Sequence, residues 1–210
     1  MFISETSRKF LLKLARKVIE KKIDKKNDNV NGINNDIISS VLSDMSLDKI
    51  PEDIKLKRAV FVTLTKKGGL RGCIGHLQPV QEIYKDVIEN SYSAAFRDPR
   101  FRPVHESEID DISIEISVLS LPEKFHYKSI DDIYNKINPN VHGIILSKNG
   151  RLATFLPQVW EQLSTHDEFF NHLCAKAGLA ISEWKNLNVE IETYTVENFN
   201  EWLINTNLLI

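Results

Sequence analysis

Residues 58–75 read Arg-Ala-Val-Phe-Val-Thr-Leu-Thr-Lys-Lys-Gly-Gly-Leu-Arg-Gly-Cys-Ile-Gly. Ala59, Val60, Phe61 and Val62 form a short apolar run of the kind a buried strand carries, so a strand is expected over 58–65. Lys66, Lys67, Gly68 and Gly69 then read as a hairpin turn, because glycine reaches the positive φ that such a turn requires. The return strand covers 70–74. A hairpin so short commits the chain to antiparallel pairing at this point.

Working outward, Pro79 suits the first turn of a helix that runs to about Phe96. Its inner stripe would be Val80, Ile83, Tyr84, Val87, Ile88, Ala94 and Ala95. The run 98–103 holds Pro99 and Pro103 and cannot continue it. Ile112, Ile114, Ile116 and Val118 alternate with Ser113, Glu115 and Ser117, the pattern of a half-buried strand. Ser129 can cap a short helix ending before Pro139. Residues 141–146 and 151–156 flank Lys148-Asn149-Gly150, a second hairpin signal. Thr165 and Glu168 form a capping box, and the helix they open buries Phe169, Phe170, Leu173, Cys174 and Ala177 before closing at Gly178. A last strand is expected over 188–196, with Phe199, Trp202 and Leu203 as a closing turn of helix.

Upstream, residues 5–22 place Phe10, Leu11, Leu14, Ala15 and Val18 on one helical face, with a solvated basic face opposite. Residues 24–36 turn to Asn, Lys and Asp and read as a flexible connector within one domain spanning 1–210. Hairpins interspersed with helices, without regular βα alternation, give the α+β class with mixed or antiparallel sheets.

Composition narrows the function classes. A chain of 210 residues that is 42% hydrophobic supports a substantial core and is not a disordered protein. Its 29 acidic and 27 basic residues lack the basic excess expected of a general nucleic-acid binder, which argues against nucleic acid as a partner. No stretch approaches the ~18 apolar residues of a membrane span, and the N-terminus lacks the pattern of a signal peptide. The expectation is a cytoplasmic protein, no membrane partner, and two reduced thiols, Cys73 and Cys174.

Chemistry points to the loop at 70–76. In an extended segment Arg71 and Cys73 share a face, and a guanidinium beside a thiol favours the nucleophilic thiolate. Gly72 and Gly75 leave backbone open to close approach, and His76 offers a proton acceptor. A helix start near Pro79 would add a positive dipole end for an anion. The alternative is that Cys73 is simply a small buried hydrophobe. Arg97, Asp98, Arg100 and Arg102 form a second constellation: either anion-binding forks, with Arg97 and Arg100 as ligands of the substrate, or an ion-pair network pinning the loop. Cys73 with His76 and His172 with Cys174 suggest a zinc site. Residues two apart on a helix diverge by about 200°, however, so no metal is expected. No phosphate loop, dinucleotide fingerprint or Gly-x-Ser-x-Gly elbow is present, and no cofactor is expected.

The string Leu-Arg-Gly-Cys-Ile-Gly at 70–75 resembles the signature of the AMMECR family, also called AmmeMemoRadiSam system protein A. The resemblance continues through the segments at 98–101, 115–119, 142–143, 155–160 and 173–179, nearly the whole chain in order. It implies an α+β fold with a larger and a smaller lobe forming a cleft near the signature. It places the family's arginine and cysteine at Arg71 and Cys73 and implies association with a Memo-type protein and a radical SAM enzyme. The family carries no established reaction. A thiol-dependent enzyme on a small anionic substrate and a non-catalytic adaptor are the competing expectations, with a nucleic-acid-associated factor behind them.

Overall fold

The computed structural model describes residues 3–24, 35–45 and 50–201. In chain order the helices and strands are α1 (Glu5–Asp24), α2 (Asn35–Asp44), β1 (Val60–Lys66), β2 (Gly69–Gly75), α3 (Ile83–Phe96), β3 (Ile112–Leu119), β4 (Glu123–Lys124), α4 (Ile130–Lys136), β5 (Gly143–Lys148), β6 (Arg151–Phe155), α5 (His166–Lys176), β7 (Glu190–Tyr194) and β8 (Val196–Asn200). They form two compact units: Met1–Leu119 with Glu197–Ile210, and Ser120–Val196. Each unit has a sheet of its own, ordered β2-β1-β3-β8 in the larger and β4-β7-β5-β6 in the smaller. This is the α+β architecture read from the sequence, and the strand pairs are antiparallel.

In the larger unit the turn between β1 and β2 holds Lys67 at φ 52° and Gly68 at φ 80°, the left-handed pair that matches strand twist in a two-residue hairpin. Val60, Val62 and Leu64 of β1 are fully buried, as are Ile114 and Ile116 of β3, whereas Phe61, Thr63 and Thr65 are only half-buried. The sheet therefore has one sealed face. Leu11, Leu14, Ala15 and Val18 of α1 and Val87, Ala94 and Ala95 of α3 complete the core cluster on it, each large aliphatic contributing about 1.5–3 kcal/mol by burial. The closest approach is at Gly72, where a Cβ would lie 2.2 Å from the carbonyl oxygen of Ala94.

In the smaller unit Asn149 (φ 50°) and Gly150 (φ 78°) form the β5–β6 turn. Capping boxes at Ser129/Asp132 and Thr165/Glu168 open α4 and α5. Trp160, Phe169, Phe170 and Trp184 fill the core, with Trp160 stacked on Phe169 at 3.6 Å between centroids.

Four expectations change. Helix α3 starts at Ile83 behind the N-cap residue Glu82, not at Pro79, because Lys57 and Glu82 form a β-bridge that holds Glu82 itself extended. Val80 is consequently outside the inner stripe and 54% exposed. Phe199 lies in strand β8, its ring in the core of the larger unit, rather than in a closing turn of helix; Glu201 is helical, and Trp202 and Leu203 lie outside the described residues. Asn35 and Asp36 open α2, so the expected connector ends earlier, and its residues 25–34 lie outside the described residues. No helix among the described residues is long and apolar enough to cross a membrane.

Candidate functional site

The half-buried face of the larger sheet carries a row of three side chains. The β1–β2 register places Thr63 opposite Cys73, and the β1–β3 register places Thr63 opposite Glu115. Residues directly opposite each other project from the same face, so sulfur, hydroxyl and carboxylate stand abreast on three neighbouring strands. The Thr63 hydroxyl donates to Cys73 Sγ at 3.2 Å, and Cys73 is a free thiol of intermediate exposure.

Backbone at Cys73 is fixed from outside the sheet. Its N–H donates to Asp98 Oδ2 at 2.8 Å, and its carbonyl accepts from Arg100 Nη2 at 3.1 Å. Asp98 also accepts from the Arg100 backbone N–H and from Nε and Nη2 of the same guanidinium. That guanidinium, with the two backbone donors, holds the Asp98 carboxyl well below the usual carboxylate range despite its burial. The 98–100 turn is thus a side-chain clamp on the strand that carries the thiol. The Arg97 guanidinium lies 5.3 Å from the Tyr92 ring centroid.

Arg71 does not sit where alternation would put it. Leu64 pairs with Gly72 and Thr65 with Leu70, so Arg71 is the extra residue of a β-bulge, and bulges re-aim side chains. Its guanidinium donates from Nε (3.1 Å) and Nη2 (2.9 Å) to Glu108, which Lys66 also reaches at 3.0 Å. Arg71 is therefore engaged by a carboxylate, and among the described residues no hydrogen bond links it to the Cys73 sulfur. Arg71 chiefly holds the Glu108 carboxyl down at about 2, against an ordinary 4.5. A depressed carboxyl contributes stability that is complete above the ordinary value and disappears as pH falls toward the folded one. The stability difference between the wild type and Glu108→Gln should be on the order of 2 kcal/mol at pH 6 and shrink steadily between pH 4.5 and pH 2. A difference that stays constant in urea titrations over that interval would remove this assignment.

Gly72 and Gly75 fall on opposite faces. Gly72 is under α3, so the space beside it is taken by Ala94 rather than open to a ligand. A Cβ on Gly75 would lie 2.4 Å from the Phe61 ring, which rests on it.

His76 turns away from the thiol row toward α3. Its Nδ1 is 2.7 Å from Asp86 Oδ1, and Asp86 is fully buried. Asp86 also accepts from the Val60 N–H at 3.0 Å and from Gln81 Nε2 at 3.0 Å, and Gln81 Nε2 donates on to Glu89 at 2.8 Å. Burial raises the Asp86 carboxyl above its ordinary value, against the lowering effect of its Gln81 and His76 hydrogen bonds. The expected partnership of His76 with Cys73 is replaced by this buried carboxylate. Cys174 is fully buried in the core of the smaller unit while His172 is exposed, so the two point apart as their helical spacing requires.

Sequence reasoning missed Thr63, Asp86, Glu89, Glu108 and Glu115 as site residues. Strand alternation could have supplied Thr63 and Glu115. The other three depend on contacts between distant elements.

A family model described as AMMECR1 matches residues 12–199. A protein of Methanothermobacter thermautotrophicus is 38% identical over 159 residues, covering 73% of this chain and 81% of its own length. One from Methanosarcina acetivorans is 34% identical over 200 residues, covering 95% and 94%. Among solved structures, an uncharacterized protein from Pyrococcus horikoshii matches with a TM-score of 0.74 at 29% identity, covering 95% of this chain and 93% of that one.

Proposed function

The chain belongs to the AMMECR1 family, and from that premise we propose that it is a thiol-dependent enzyme with Cys73 as nucleophile, acting on a small anionic substrate. The observation that carries this reading is the hydrogen bond from the Thr63 hydroxyl to the sulfur of the half-buried Cys73, on a strand clamped at that residue. A hydroxyl donor orients the sulfur and stabilises negative charge on it, and a clamped backbone holds a nucleophile in one place while it attacks. Positive charge for the substrate comes from Arg100, whose side chain is 53% exposed although paired, and which reaches the carbonyl of Cys73 itself. Arg71, engaged by Glu108, supports the strand rather than the substrate.

Alkylation tests both halves of this reading. At pH 7, Cys73 should react with iodoacetamide at least about tenfold faster than free cysteine, and Thr63→Val should abolish most of that advantage. Iodoacetate should gain on iodoacetamide relative to their ratio with free cysteine, because it carries the anion. A Cys73 no faster than free cysteine would end the enzymatic reading.

The second reading is an adaptor working with a Memo-type protein and a radical SAM enzyme. It is favoured by the exposed Leu77 (38%) and Val80 (54%) on the connection between β2 and α3. An ordinary thiol at Cys73 would shift the weight to it.

A further inference from the structure

Asp86 has no exposed surface, and its hydrogen-bond partners are a histidine, a glutamine amide and a backbone N–H, with no lysine or arginine among them. Buried carboxylates are rarely left without a cation or metal beside them. Two further donors converge on this one from rigid elements. Glu89 lies three residues along α3 and so on the same helical face, and His76 follows directly on β2, its N–H bonded to Val60 of β1. One ligand atom from each of His76, Asp86 and Glu89 lies within 4.8 Å of the others.

We propose that His76, Asp86 and Glu89 bind a first-row divalent transition-metal ion of the zinc type. An imidazole with two carboxylates suits zinc, manganese or iron better than the all-oxygen set that magnesium and calcium prefer. Ligand atoms on one tetrahedral ion with bonds of about 2.0–2.1 Å stand roughly 3.3 Å apart. His76 Nδ1 and Asp86 Oδ1, at 2.7 Å, need to open by about 0.6 Å to admit it. The Gln81 amide nitrogen, which bridges the Asp86 and Glu89 carboxylates, stands where positive charge is wanted. Three protein ligands leave a position for water or substrate, the arrangement of a reacting rather than a purely structural ion. The site shares no side chain with the thiol row, and its test is independent of Cys73.

Full-length protein, freed of metal by chelator and dialysis, should bind one equivalent of Zn²⁺ by calorimetry with a micromolar or tighter Kd. His76→Ala and Glu89→Gln should each weaken binding at least about tenfold, whereas Glu123→Gln, an exposed carboxylate of the other unit, should leave it unchanged. The variants avoid Asp86 because it also carries Val60, and Glu89 is exposed, so its replacement leaves the fold intact. Absence of saturable binding, or binding that Glu89→Gln leaves at wild-type strength, would overturn the proposal.

Discussion

Gly72→Ala should lower the unfolding free energy by about 3 kcal/mol and the thermal midpoint by roughly 10 °C, although it adds a single methyl group. The methyl would sit 2.2 Å from a backbone oxygen of α3, and a carbonyl inside a helix cannot rotate aside as a side-chain end can. Relief requires the helix to lift from the sheet, breaking the contacts of Val87, Ala94 and Ala95 with the β1 core. Gly69→Ala in the same strand is the control. Its nearest neighbour would be the Lys66 carbonyl at 3.6 Å, an ordinary contact, so its cost should stay within about 0.5 kcal/mol. If the two variants melt together, the close approach of α3 to β2 is not what the glycine serves.

Asp98→Ala is the second large effect, expected at about 3 kcal/mol. The carboxylate accepts the Cys73 N–H at 2.8 Å and three donors of Arg100, and it is almost entirely buried. Its removal leaves a strand N–H without its acceptor and frees a guanidinium that had been neutralised beside it. Because Arg100 is half exposed and can reach water, the cost falls at the low end of the range for a broken buried pair. Asp98→Asn, which keeps an acceptor oxygen but not the charge, should recover about half of the loss. In urea titrations the midpoint should move while the slope stays constant. A midpoint within error of wild type for Asp98→Ala would show that the clamp is incidental.

What was legible in the sequence was local. Both hairpins were readable because Lys67-Gly68 and Asn149-Gly150 take the positive φ their turns demand, and α5 because Thr165 and Glu168 cap it reciprocally. The start of α3 was misread because Pro79 is as compatible with extended chain as with a helical first turn, and the bridge from Lys57 to Glu82 decided the matter from outside the segment. Phe199 misled for a related reason: an aromatic near a helical spacing of apolar residues looks the same whether it anchors a turn or a strand. At the site, the Cys73 strand was readable, but the partners of its neighbours were not. Glu108 is 37 residues from Arg71, and Asp98 is 25 from Cys73. A one-residue bulge, invisible to a period-two argument, was enough to turn Arg71 from the thiol to Glu108.

The 98–100 clamp also bears on how molecules of this protein meet one another. β2 is the outermost strand of its sheet, the kind of border along which a second polypeptide can add by backbone hydrogen bonds and seed fibril growth. At Cys73 both groups that an incoming strand would need are already occupied, by a carboxylate and a guanidinium of the same chain. The turn imitates a fifth strand too short to be extended, and the sheet ends there by design of its own side chains.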